Sequence, residues 1–129
     1  MIKRIDKKYH AMIQEWGRNN HDFVILPENY LPDGLVCFLD EKPIIASWMF
    51  VTNDLLMGFI AFTIANPEST RDERDLCFPE LMDAFDKKAK EQGIEFLFTT
   101  SNNDSLQKRI VDFGFSECDK NVVHFLKKV

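Results

Sequence analysis

Arg71 and Arg74 stand three residues apart in a segment with no other cation, close enough for two guanidiniums to hold one anion by charge-assisted hydrogen bonds. Glu68, Asp72, Glu73 and Asp75 surround them and nearly cancel their charge, so the same residues also read as a solvated loop of mixed sign. The remaining groups with chemistry are scattered. His10 falls on the polar side of a helical pattern and His21 in a polar stretch, which places both toward solvent. His124 alternates with Val123 and Phe125 and has no carboxylate or thiol beside it, the setting of a structural histidine. Cys37, Cys77 and Cys118 are odd in number, far apart, and each in or beside an apolar run. That pattern excludes a disulfide framework and a zinc site and predicts three reduced, buried thiols. Cys77, next to Phe78-Pro79, reads as a packed residue at a helix entry, although a thiol at a helix N-terminus would have a lowered pKa. With no nucleophile adjacent to a base, the sequence assigns no catalytic residue.

The elements that must position these groups follow from periodicity. Ile5, Tyr9, Met12, Ile13 and Trp16 recur at helical spacing, with Asp6 near the start and Gly17 at the expected stop. From Arg18 to Gly34 the prolines Pro27 and Pro32, with Asn29 and Asp33-Gly34, predict a loop with at most one short helix, in which Val24, Ile25 and Leu26 tuck against the core. Leu35–Leu39 and Pro43–Thr52 then form a hairpin about Asp40-Glu41-Lys42. A second tight connection at Asn53-Asp54 leads into a strand from Leu55 to Ala65, completing a three-stranded antiparallel meander. Gly58 within that strand marks a bulge or a close packing contact. Trp48, Met49 and Phe50 read as core, or as the border of a pocket.

Asn66-Pro67 ends the strand, and Pro79 suits the first turn of a helix with Leu81, Met82, Phe85 and Ala89 on its apolar stripe and Gly93 as its stop. The nearly continuous apolar run Ile94–Thr99 predicts a strand covered on both faces. Asp104-Ser105-Leu106-Gln107 has capping-box spacing and opens a helix that buries Leu106, Ile110 and Phe113 before Gly114. Residues 122–126 form a last strand or hairpin. The fold class is therefore α/β in a single domain spanning 1–129: an antiparallel meander joined to a parallel strand-helix-strand unit, with helices on both faces of a mixed sheet.

Composition sets the outer limits. With 45% hydrophobic and 29% charged residues the chain is globular rather than disordered. Its net charge of −5 offers no general attraction to nucleic acid or to an anionic membrane. No segment is apolar enough to span a bilayer and no apolar run follows the charged first residues, so a cytoplasmic protein is expected.

This order of elements, with the helix ending Ala89-Lys90-Glu91-Gln92-Gly93 and the stretch Asn103-Asp104-Ser105-Leu106 running to Phe113-Gly114-Phe115, resembles the GNAT acyltransferases over nearly the whole chain. It is also similar to compact GNAT-like proteins carried by bacteriophages. The resemblance implies acetyl-CoA as acyl donor, with its thioester beside Ile64, Ala65 and Asn66, its pyrophosphate near Arg71 and Arg74, and Asn103 among the cofactor-binding residues. It implies direct attack by a primary amine, main-chain amides polarising the thioester carbonyl.

Two departures stand against that pattern. The family's phosphate loop places glycines where bare amides must approach pyrophosphate, yet no glycine lies between Gly58 and Gly93. The position that commonly holds the tyrosine acid, four residues before the Gly-Phe pair, is Ile110. Water can still protonate a thiolate leaving group, whose pKa is about 8.5. Ser105 is a substitute acid that its helix-start position suits better to capping, and Glu68 is the nearest candidate base. Two functions therefore stay open: an acyl-CoA-dependent N-acyltransferase acting on an unidentified amine, or a non-catalytic GNAT-like module that binds a protein or other ligand. The exposed edges of a mixed sheet leave room for a homodimer.

Overall fold

The computed structural model describes residues 1–18, 27–52, 56–120, 125 and 127. The chain runs β1 (Ile2–Arg4), α1 (Lys7–Arg18), a 3₁₀ turn (Glu28–Tyr30), β2 (Gly34–Leu39), β3 (Lys42–Val51), β4 (Met57–Ala65), α2 (Arg71–Glu91), β5 (Phe96–Thr99) and α3 (Asp104–Phe113). The strands lie side by side in sequence order, antiparallel from β1 to β4, with β5 parallel to β4. The expected meander and parallel crossover are both present. β1 was not expected: three residues are too few to show a period, and pairing to Cys37, Val36 and Leu35 creates the strand.

Two apolar layers cover the sheet. On one face α1 packs Ile13 and Trp16 on Val36, Phe38, Ala46, Trp48 and Ile64. On the other, the α2 stripe of Leu81, Met82, Phe85 and Ala89 packs on Leu35, Cys37, Ile45, Met49 and Ile60, with Leu106, Ile110 and Phe113 of α3 half-buried against it. Adjacent β2 residues Val36 and Cys37 enter opposite layers, as strand pleating requires. His10 is not solvent-facing as its helix position suggested, for it is 4% exposed and meets the Trp48 ring edge-on at 6.3 Å between centroids. Trp16, Met49 and Trp48 belong to the core, and Phe50 packs at its margin.

Local chemistry explains the boundaries. Asp6 caps α1 by accepting the Tyr9 amide at 2.9 Å, and the helix runs through Gly17 to Arg18. Asp40 and Glu41 both adopt left-handed backbone, which matches the twist of a two-residue hairpin turn. α2 starts eight residues before Pro79, because Thr70 and Glu73 form a reciprocal capping box. Pro79 sits inside the helix, unable to donate to the Asp75 carbonyl. Gly93 takes φ +72° after α2, while the Ile94 amide returns to the Ala89 carbonyl at 2.9 Å. α3 is capped one residue earlier than its sequence suggested: Asn103, not Asp104, accepts from the Leu106 amide, and Gln107 reaches the Ser101 carbonyl.

Three further expectations change. β5 is not covered on both faces among the described residues, since Phe96 is 66% and Phe98 39% exposed. Gly58 makes no bulge; a Cβ there would lie 3.0 Å from Leu97 Cδ2, so it permits close packing. Cys118 is exposed rather than buried. The expectations for His21, residues 24–26, Asn53-Asp54, His124 and the final strand lie outside the described residues.

Candidate functional site at the divergence of two parallel strands

β4 and β5 pair only from Met57 to Ile60 against Phe96 to Thr99, where the Thr99 hydroxyl donates to the Ile60 carbonyl at 2.9 Å. β4 then continues through Ala61–Ala65, where among the described residues its strand partner is β3 alone. Main-chain groups of a strand alternate between its two sides, so those facing away from β3 here form an edge with no strand against it among the described residues.

A bulge re-aims this stretch. Ala46 pairs with Ile64 and Trp48 with Ala61, which leaves one extra residue on β4 opposite Ser47. Phe62 absorbs it at φ +57°, a left-handed conformation that an aromatic residue seldom takes. The Ser47 hydroxyl holds the bulge, donating to the Ala61 carbonyl at 3.0 Å and lying 2.8 Å from Thr63 Oγ1. Sequence reasoning missed both the bulge and this pair: without a glycine at the kink there is no local signal, and the contact joins residues from two strands.

Beyond Ala65 the chain turns on Asn66. Its side chain donates to the Pro43 carbonyl at 2.8 Å and accepts the Glu68 amide at 3.0 Å. Its main chain bonds Ile44 and Ser69. Each side-chain end of Asn66 thus braces the turn between β4 and α2. Ile64 is buried in the α1-side layer, and half-buried Ala65 pairs with Ile45.

At the α2 N-terminus the Thr70 hydroxyl takes the Glu73 amide, while Arg74 N–H returns to the Thr70 carbonyl. The amides of Arg71 and Asp72 have no acceptor among the described residues, and a helix start leaves such groups pointing outward. Two bare amides and the positive end of a helix favour an anion even without glycine. Three cations stand near. Arg71 is largely exposed, its Nε 4.0 Å from Asp75 Oδ2. Arg74 folds back onto the Ser69 carbonyl at 2.9 Å. Lys42 bridges to the Glu68 carbonyl at 3.1 Å and to Glu73 Oε2 at 3.0 Å.

Glu73 opposes an incoming anion. Its Oε2 accepts the Thr70 amide at 2.7 Å, and that bond, followed by the Lys42 ammonium, holds its carboxyl below the usual range. Asp75 is likewise lowered, first by its hydrogen bond from Arg109 at 2.7 Å, which ties α2 to α3. The structure thus brings Arg71 and Arg74 to the end of the strand that carries Ile64, Ala65 and Asn66. Asn103 follows β5 at the start of α3, its side-chain oxygen committed to the helix cap. Ser105 lies exposed in the first turn of α3, and Ile110 packs against the α2-side core. Cys77 lies in the second turn of α2, not at its N-terminus, and burial raises its pKa instead of lowering it. No cluster of metal-ligating side chains occurs among the described residues, and none of the helices there is long and apolar enough to cross a membrane.

No protein-family model and no curated protein matches the sequence. Solved structures do. A crystal structure described as "a probable acetyltransferase" superposes with a TM-score of 0.72 at 13% identity, covering 100% of this chain and 98% of the other. The ribosomal-protein-S18-alanine N-acetyltransferase from Escherichia coli has a TM-score of 0.67 at 14% identity, covering 92% of this chain and 79% of that one. The aminoglycoside N-acetyltransferase AAC(6')-Iy in complex with CoA has a TM-score of 0.66 at 14% identity, with 100% of both chains covered. The similarity extends over nearly the whole chain, which has the fold of the GNAT acetyltransferases.

Proposed function

We propose that the chain is an acyl-CoA-dependent N-acyltransferase, with acetyl-CoA as donor and a primary amine of the cytoplasm as acceptor. The observation that carries this reading is the end of β4–β5 pairing at Ile60, after which bulged β4 main chain from Ala61 to Ala65 pairs with β3 on one side, has no strand on the other among the described residues, and leads through a short turn to a helix N-terminus. One edge of extended backbone can hydrogen-bond a pantetheine arm, and the bare amides of Arg71 and Asp72, with the Arg71 and Arg74 side chains, suit a pyrophosphate. When bound, the donor supplies the activated thioester. The main-chain amides beside the Phe62 bulge polarise its carbonyl, Ile64 and Ala65 set its depth, and Asn66 fixes the loop that aligns helix and strand. No side chain is required as acid, because the position of Ile110 is hydrocarbon and solvent can protonate the departing thiolate. Glu68, exposed three residues beyond β4, is the base this reading assigns, taking a proton from the acceptor ammonium through water before the free amine attacks.

A second reading, a non-catalytic module of the same fold, draws on Glu73, whose carboxylate occupies the helix start where phosphate would sit. Calorimetric titration with acetyl-CoA separates the two. The acyltransferase reading expects saturable binding that Arg71→Ala weakens by roughly tenfold, the worth of one charge-assisted contact. Absence of heat at millimolar acetyl-CoA would favour the module.

A further inference from the structure

Cys37 and Cys77 serve neither the transfer site nor the caps. Cys37 lies in β2 and Cys77 in the second turn of α2, 40 positions apart, and both are fully buried. Their sulfurs are 2.9 Å apart, with the Cys37 thiol donating to Cys77. Cys37 Sγ also lies 3.6 Å from Glu80 Oε2. Glu80 is itself half-exposed and holds the Met1 amine at 2.9 Å. The pair therefore sits one side chain beneath the surface, at a rim made by Glu80 and the first residue.

We propose that Cys37 and Cys77 are a redox modification site, closed into an intramolecular disulfide by a small peroxide such as hydrogen peroxide, which cross-links the sheet to α2. One cysteine, as thiolate, attacks a peroxide oxygen; the O–O bond breaks, a sulfenic acid forms, and the departing hydroxide takes up the thiol proton as water. The second thiol then attacks the sulfenic sulfur. The S–S bond forms, the S–O bond breaks, and a second water leaves. Two thiols lose two electrons in total, and one peroxide becomes two waters. Cys77 is the better first nucleophile because the Cys37 S–H stabilises its thiolate, although burial raises both thiols and makes the reaction slow. Closure restrains the unfolded chain over a long loop and so raises stability. It also fixes the helix whose first turn carries the proposed anion site.

The test uses the full chain carrying Cys118→Ser, since Cys118 is exposed and lies outside the pair. After hydrogen peroxide, the intact mass should fall by about 2 Da, the two hydrogens lost on forming a disulfide. Peptide mapping should join Cys37 to Cys77, and the thermal midpoint should rise by about 5 °C or more and return with dithiothreitol. Two titratable thiols in the denatured, peroxide-treated protein, a gain of oxygen without a cross-link, or a disulfide between chains would each overturn the proposal.

Discussion

Glu73 accepts the Thr70 amide and the Lys42 ammonium at once, and both favour its charged form. A carboxyl lowered in the folded state contributes stability above its unfolded pKa of roughly 4.3, and loses that contribution as pH falls through the folded value. Glu73→Gln should therefore melt below the wild type at neutral pH, with the gap closing under about pH 4 in thermal scans. Because the same carboxylate stands at the proposed pyrophosphate position, the variant should also bind acetyl-CoA more tightly. Thr70→Ala, which removes the other half of the box, should cost about 1 kcal/mol in denaturant unfolding. This box was legible as Thr70-x-x-Glu73, but Pro79 drew the helix start to itself because a first-turn proline is the commoner signal. His10 misled for a different reason: a polar residue on a helix is assigned to solvent, and only the Trp48 ring from β3 shows that it is covered.

At the scale of elements, α2 joins the two functions of the fold. Its apolar stripe anchors the sheet while its first turn carries the proposed anion site. Those buried residues were readable from period alone, and Phe85 is fully buried among them. Phe85→Ala should destabilise the protein by about 3–5 kcal/mol, measured by urea unfolding. The sequence was less informative about β4. Its strand and its end at Asn66-Pro67 were plain, but the Phe62 bulge depends on Ser47 and Thr63, which meet only when β3 and β4 pair. Thr63→Val should cost about 1 kcal/mol by leaving the Ser47 hydroxyl short of a partner. On the proposed function it should also lower kcat more than it raises KM for acetyl-CoA, since the bulge aims the main chain at the reacting carbonyl.

For the whole molecule, alternating strand patterns and amphipathic helices point to a sheet covered on both faces, and the order of elements makes β5 parallel to β4, while the end of their pairing at Ile60 emerges only from the structure. Chemistry was harder to read than architecture because the site proposed here uses backbone, and backbone groups are the same in every sequence. Identity of 13% to a protein whose fold matches at a TM-score of 0.72 reflects this: side chains can diverge while the main-chain path remains. Amide hydrogen exchange with and without acetyl-CoA addresses that main chain directly. Binding through the open edge of β4 and the helix start predicts protection confined to the amides within Phe62–Ala65 that face away from β3 and to Arg71 and Asp72. Unchanged exchange at all of these amides under saturating acetyl-CoA would contradict it.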